Sequence, residues 1–227
     1  MSKAETTGLD PVRAKRQARE QFEAWAETYD RSPLNRFLFR PSHVVFMEEV
    51  ARWHAERKRD FVVLDVGCGT GTFVGLLAAS RWPVRVVGLD YAPTMCAAAA
   101  GKVAACGLGH AAQFTAGDSE HLPFADGSFD LITCSNSFHH YPHQQVVVSE
   151  MRRLLRPGGR LIIIDGFRDN VIGWFVFDVI IHRVEQDVYH APWSVIQEYF
   201  VQAGLRGIRR RKFNLWFPLL ATIGDAP

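Results

Sequence analysis

Cysteine is scarce: four residues in 227, and no two of them form a C-x-x-C pair. Cys68, Cys96, Cys106 and Cys134 thus argue against a structural zinc and against a disulfide scaffold. A reduced, cytoplasmic setting is the expectation. An excess of one charge is missing too. The 26 basic and 24 acidic residues leave +2, which gives no overall field for nucleic acid or an acidic membrane. No apolar run approaches the roughly 20 residues of a membrane span. The longest, Val171 to Ile181, is broken by Gly173 and Asp178. The polar start MSKAETTGLD lacks the apolar centre of a signal peptide. A Walker lysine is absent as well: Gly71 is followed by Thr72. No internal repeat or low-complexity tract stands out.

What is present is an ordinary globular composition, 48% hydrophobic and 22% charged. The length suits one α/β domain with a helical extension. Asp10-Pro11 and Ser32-Pro33 are helix-start signals. Phe22, Trp25, Ala26 and Tyr29 form one apolar stripe at helical spacing. Val44, Met47, Val50 and Ala51 form another. Residues 1–58 are therefore expected as an N-terminal helical cap. Five apolar segments then alternate with helical ones: Phe61 to Val66, Val84 to Leu89, Gln113 to Thr115, Phe129 to Cys134 and Arg160 to Asp165. The helices between them are Thr72 to Ala79, Pro93 to Cys106 and Pro142 to Leu155, the last stopped by Pro157-Gly158-Gly159. This alternation predicts a parallel sheet. Helices over Val171 to Val184 and Pro192 to Ala203 follow, as a 166–204 insertion. Arg206 to Lys212 and Leu215 to Ile223 should close the sheet as an antiparallel hairpin. Residues 59–227 then form the core of what is effectively one domain.

The most specific string is LDVGCGTG, Leu64 to Gly71. Gly67, Gly69 and Gly71 bring bare backbone against whatever sits on the turn. A dinucleotide turn would be G-x-G-x-x-G; here the third glycine comes one position early. Asp90 ends the second strand, where an acid accepts from the two hydroxyls of a ribose; capping the next helix is its other reading. Asp118 follows the third strand and can accept from an exocyclic amine such as that of adenine, with Ser119 offering a backbone N–H. An Asx-turn explains the same aspartate. Together these residues describe a nucleoside site without phosphate machinery. The helix after Gly71 can receive a carboxylate. Asp65 and the Ser135 region can receive an ammonium group. S-adenosylmethionine has those ends.

In this order and spacing, LDVGCGTG, VVGLDYAPTM, GDSEHLPFADGSFDLITCSNSFHHYP and MRRLLRPGGRLIIID resemble the class I S-adenosylmethionine-dependent methyltransferases. The nearest flavour is the small-molecule, type 11 group that includes the quinone-ring methyltransferases. The resemblance covers about residues 61–166, with an echo in WAETYD, Trp25 to Asp30. It implies a three-layer Rossmann-like fold: seven mostly parallel strands, a closing antiparallel hairpin and the helical cap. It places Asp65, Gly67, Thr70 and Gly71 at the methionine end, Asp90 with Tyr91 at the ribose, Asp118 and Ser119 at the adenine, Ser135 opposite the methionine, and Tyr29 as a cap. It implies S-adenosyl-L-methionine as cofactor and S-adenosyl-L-homocysteine as product.

A sulfonium methyl needs no protein nucleophile, so alignment carries much of the reaction. A base is required only for an acceptor protonated at the reacting atom. His139 and His140, after the fourth strand, are its candidates; packing under the loop and capping the next helix are their other roles. His139, His140 and His143 lack metal-site spacing, so no metal is expected. Asp165 could anchor substrate or pair with Arg168. Trp174, Phe175 and Phe177 suit an aromatic or isoprenoid acceptor if their helix covers the cleft, with Asp178 among its polar contacts. Core packing or a homodimer contact explains the same residues and is the preferred reading. Arg209 to Lys212 is the one dense basic cluster, read as a charge-protected edge strand rather than an RNA or lipid contact. The expectation is methyl transfer to a small aromatic or apolar metabolite. A non-methylating reaction with the same cofactor, a binding module and an RNA methyltransferase are its rivals.

Overall fold

A computed structural model describes residues 11–25, 33–166, 189, 191–213 and 218–227. Helices α1 (Pro11–Trp25) and α2 (Pro33–Arg57) precede strand β1 (Phe61–Val66). There follow α3 (Thr72–Ala78), β2 (Val84–Asp90), α4 (Pro93–Ala105), β3 (Ala112–Ala116) and β4 (Phe129–Ser135). A 3-10 turn at Phe138–His140 leads to α5 (Gln144–Leu154) and β5 (Leu155–Gly166). Helix α6 (Trp193–Gln202), β6 (Arg206–Phe213) and β7 (Leu219–Asp225) complete the order. The parts of the expected insertion at 167–188, with its apolar helix, lie outside the described residues.

The seven strands form one sheet in the order β3-β2-β1-β4-β5-β7-β6. The pairs β1–β2, β1–β4, β2–β3 and β4–β5 are parallel. β7 lies antiparallel between β5 and β6, as the hairpin requires. β7 runs over Leu219–Asp225, and the first part of the expected strand, 215–217, lies outside the described residues. The chain runs from β1 to β2 and β3 on one side, then returns to β4 on the other. The gap beyond the carboxyl ends of β1 and β4 is therefore the topological switch point, where α/β sheets bind ligands.

Alternation along the strands fills both faces. Val63 and Ile162 point to the layer holding Phe46, Trp53, Phe73 and Leu77. Leu64 and Ile163 point to the layer of Val147, Met151 and Phe200. Helix α2 differs from its expected stripe. Val45, Phe46, Val50 and Trp53 are buried, while Val44 remains 50% exposed. The expected stop at Pro157-Gly158-Gly159 also proves to be part of β5. Leu155 pairs with Phe129, and the register then shifts before Arg160 pairs with Leu131. Gly158 takes φ +73°. A Cβ on Gly159 would meet the Asp130 carbonyl at 2.9 Å. The glycines thus admit a bulge, which glycine permits and other residues resist.

Candidate cofactor and active site

The turn between β1 and α3 is held from below. The Gly67 and Cys68 N–H groups both donate to the Leu89 carbonyl, at 2.8 and 3.0 Å. Gly67, Gly69 and Gly71 have φ of +74°, +51° and +70°. A Cβ on Gly67 would lie 2.2 Å from Ser137 Oγ, and one on Gly71 would lie 2.7 Å from Ala99 Cβ. A Cβ on Gly69 would meet nothing within 4 Å. The outer glycines are needed for packing; the middle one presents bare backbone to open space.

That space is a cleft of about 830 Å³, its mouth included, with walls from α1 and from the ends of β2, β3 and β4. Asp90, Tyr91, Asp118, Ser119, Ser135 and His140 all face it, as do Gly67 and Gly69. Asp90 Oδ2 accepts from the Gly69 N–H at 2.8 Å and Oδ1 from the Ala92 N–H at 3.0 Å. Burial pushes this carboxyl above its ordinary range, against the pull of those amides. Each oxygen has a second lone pair, so the carboxylate can brace the turn and still accept from a ligand.

Asp65 and Thr70 border a second, wider space beside α2 that shares Gly67, Gly69 and Ser135 with the cleft. Thr133 Oγ1 donates to Asp65 Oδ1 at 2.7 Å. Burial pushes the Asp65 carboxyl up to about 7; the Thr133 hydrogen bond opposes this and the nearby Asp90 charge adds to it. Gly71 borders neither space and serves the turn by its conformation.

At the far end, Asp118 Oδ1 accepts from the Glu120 N–H at 2.9 Å. Lys15 Nζ on α1 reaches both Asp118 Oδ2 and Glu120 Oε2 at 2.8 Å. Burial raises the Asp118 carboxyl, but the Lys15 ammonium and the Glu120 amide outweigh it and hold it below its usual range. Lys15 lies 103 positions from Asp118, with no local pattern to mark it. Phe22 of the same helix stands edge-on to His140, ring centres 5.0 Å apart. Nothing in the spacing of Phe22 alone distinguishes this contact from core packing.

His139 is buried and does not border the cleft. Its Nδ1 lies 2.6 Å from Asp165 Oδ1, and its N–H donates to Asp165 Oδ2 at 2.8 Å. Its ring packs on that of His140, centres 4.2 Å apart. Asp165 thus joins His139 across the ends of β4 and β5. His143 approaches Glu120 at 3.1 Å. Among the described residues no three His, Cys, Asp or Glu side chains are grouped to hold a metal ion. Tyr29, Arg168, Trp174 and Asp178 lie outside the described residues. In the basic strand, Arg209 pairs with Glu49 at 3.1 Å, Arg211 pairs with Glu48, and the Arg210 guanidinium covers the Trp193 ring at 3.8 Å. Those charges are largely spent within the chain. No described helix is long and apolar enough to cross a membrane.

Residues 64–163 match the family described as "Methyltransferase domain". The match takes in 100 of the 227 residues, and the strand order and the glycine turn above agree with that likeness. A similar protein is the demethylmenaquinone methyltransferase of Listeria monocytogenes serotype 4a (strain HCC23), 34% identical over 154 residues. That alignment covers 67% of this chain and 63% of the relative, so the chain spans less than two thirds of that protein. The crystal structure of magnesium protoporphyrin IX methyltransferase from Synechocystis PCC 6803, with bound SAH, shares the fold. Its TM-score is 0.73 at 18% identity, over 94% of this chain and 100% of that one. The cyclase SpnF shares it too, with TM-score 0.64 at 18% identity over 74% and 76%. The fold alone does not choose the reaction.

Proposed function

We propose that the protein transfers a methyl group from S-adenosylmethionine to a small, apolar or aromatic metabolite. One observation carries this reading. Two carboxylates, at the ends of neighbouring strands, face one cleft floored by a glycine turn whose middle residue leaves room for a ligand. Asp90 holds the ribose hydroxyls, with Tyr91 at the rim. Asp118 and Ser119 take the adenine edge. Gly67, Gly69 and Ser135 cradle the methionine portion, with Asp65 and Thr70 beside it and Tyr29 as its cap. When bound, the sulfonium supplies an electrophilic methyl group for in-line displacement.

The chain's own part is to align the acceptor and exclude water, effects that together can remove roughly 7–11 kcal/mol of a barrier. His140 lines the cleft, which supports its role in taking a proton from the acceptor. His139 stands behind it as a positioning residue. The Asp165 carboxylate fixes the His139 ring, whose face supports His140. The naming of the Listeria relative for a demethylated quinone supports an apolar acceptor. Four free thiols support a reducing, cytoplasmic setting.

The test is calorimetry with S-adenosylmethionine, followed by S-adenosylhomocysteine release with phenols, hydroquinones and polar amines. Binding and turnover on the apolar set are expected. Equal turnover on polar amines with none on phenols or quinols would overturn the acceptor class.

A further inference from the structure

Helix α2 carries two apolar faces. One, with Phe46, Val50 and Trp53, is buried in the core. The other, Val44, Met47 and Ala51, repeats at i, i+3 and i+7, the spacing of a single helical stripe, and borders the wide groove between α2 and α3. Phe73 and Leu76 of α3 face it from the opposite wall. Val44 is 50% and Leu76 45% exposed, so this side of each helix is left uncovered. The groove's void is about 2530 Å³, open mouth included.

The groove does not end blindly. It shares Gly67, Gly69 and Ser135 with the cofactor cleft. From Phe39 to Ala51 it follows three turns of α2, about 18 Å at 1.5 Å per residue. Of its ionisable carboxyl and guanidinium groups, Arg40 and Glu48 have opposite signs, Glu48 pairs with Arg211, and Asp65 at the inner end holds its proton up to about pH 7. His43 lies flat against Phe73, ring centres 6.0 Å apart. Burial, aided by the Lys102 charge, pushes its pKa down to about 4. At neutral pH it is an uncharged hydrogen-bonding group in an apolar trough.

We propose that this groove holds the body of the methyl acceptor: an elongated, uncharged, apolar molecule whose reacting end reaches the Gly67–Gly69–Ser135 junction. The inference rests on the methyltransferase reading and adds the acceptor's shape and the residues that select it. A second copy of the chain fits less well. A stable interface needs about 1,000 Å², whereas the strongly exposed apolar side chains here are two, on either side of a trough that leads inward.

Calorimetry with two probes, phenol and 4-octylphenol, tests it on the full chain in the presence of S-adenosylhomocysteine. Each methylene buried adds about fourfold in affinity, so 4-octylphenol should bind at least a hundredfold tighter than phenol. Val44→Asp and Leu76→Asp, both at exposed positions that fold without core change, should each weaken 4-octylphenol at least tenfold. S-adenosylmethionine affinity should stay within twofold. Equal affinity for the two phenols, or undiminished 4-octylphenol binding in both variants, overturns the groove assignment. So does a dimer that Leu76→Asp dissociates while 4-octylphenol binding persists. Failure of wild-type protein to bind S-adenosylmethionine instead sinks the methyltransferase reading. 4-Octylphenol binding to the cofactor-free protein then still decides the groove.

Discussion

Asp65 should make the protein lose stability as pH rises. Its carboxyl is buried beside Asp90, and its pKa stands at about 7 against an ordinary value of 3.8. Below pH 4 folded and unfolded chains both hold the proton, and the full stability is present. Between pH 4 and 7 the unfolded chain releases the proton while the folded chain keeps it. Each pH unit then costs about 1.4 kcal/mol. Above pH 7 both forms are ionised and the loss is complete. Over the working range of pH 5 to 8 the cost is about 3 kcal/mol. For a chain of this size that is roughly 6–12 °C in Tm. Asp65→Asn keeps an oxygen that can accept from Thr133 but cannot ionise. Denaturant unfolding of both proteins at pH 5, 6, 7 and 8 isolates the effect. The difference between them should shift toward the variant by about 3 kcal/mol from pH 5 to pH 8. A constant difference would show that Asp65 is ionised throughout, refuting the buried, proton-holding carboxyl.

Further outcomes follow from the cleft. Asp90→Ala removes two hydrogen bonds to a charged acceptor, at about 1.5–3 kcal/mol each, so S-adenosylmethionine affinity by calorimetry should fall about 100-fold or more. His140→Ala should leave that affinity within twofold while S-adenosylhomocysteine release on an apolar acceptor falls at least tenfold. Asp165→Asn, acting through His139, should lower kcat with little change in KM for cofactor. Gly71→Ala places a Cβ at φ +70°, 2.7 Å from Ala99, and should cost roughly 3 kcal/mol of stability by denaturant unfolding. Gly69→Ala, whose Cβ meets open space, should weaken cofactor binding more than it destabilises the fold.

What the sequence discloses divides along chain distance. The glycine turn, Asp90 and Asp118 are legible because each follows an apolar strand directly, and strand ends are where such sheets bind. Of the α2 stripe Val44, Met47, Val50 and Ala51, which has core spacing, Val50 is buried while Val44 is exposed; only packing shows that Phe46 and Trp53 join Val50 in the core. The Pro157-Gly158-Gly159 run has the composition of a turn, yet its glycines accommodate a bulge inside β5. The Lys15–Asp118 and His139–Asp165 pairs join residues 103 and 26 positions apart. No local spacing encodes them, since they arise from the sheet order and from where α1 is laid across it.

A crystal structure grown with S-adenosylhomocysteine tests the central claim most directly. The nucleoside should lie in the cleft beneath α1, with both ribose hydroxyls on the Asp90 carboxylate and the adenine amine at Asp118. A ligand bound elsewhere, or an Asp90 carboxylate turned from the sugar, would contradict it.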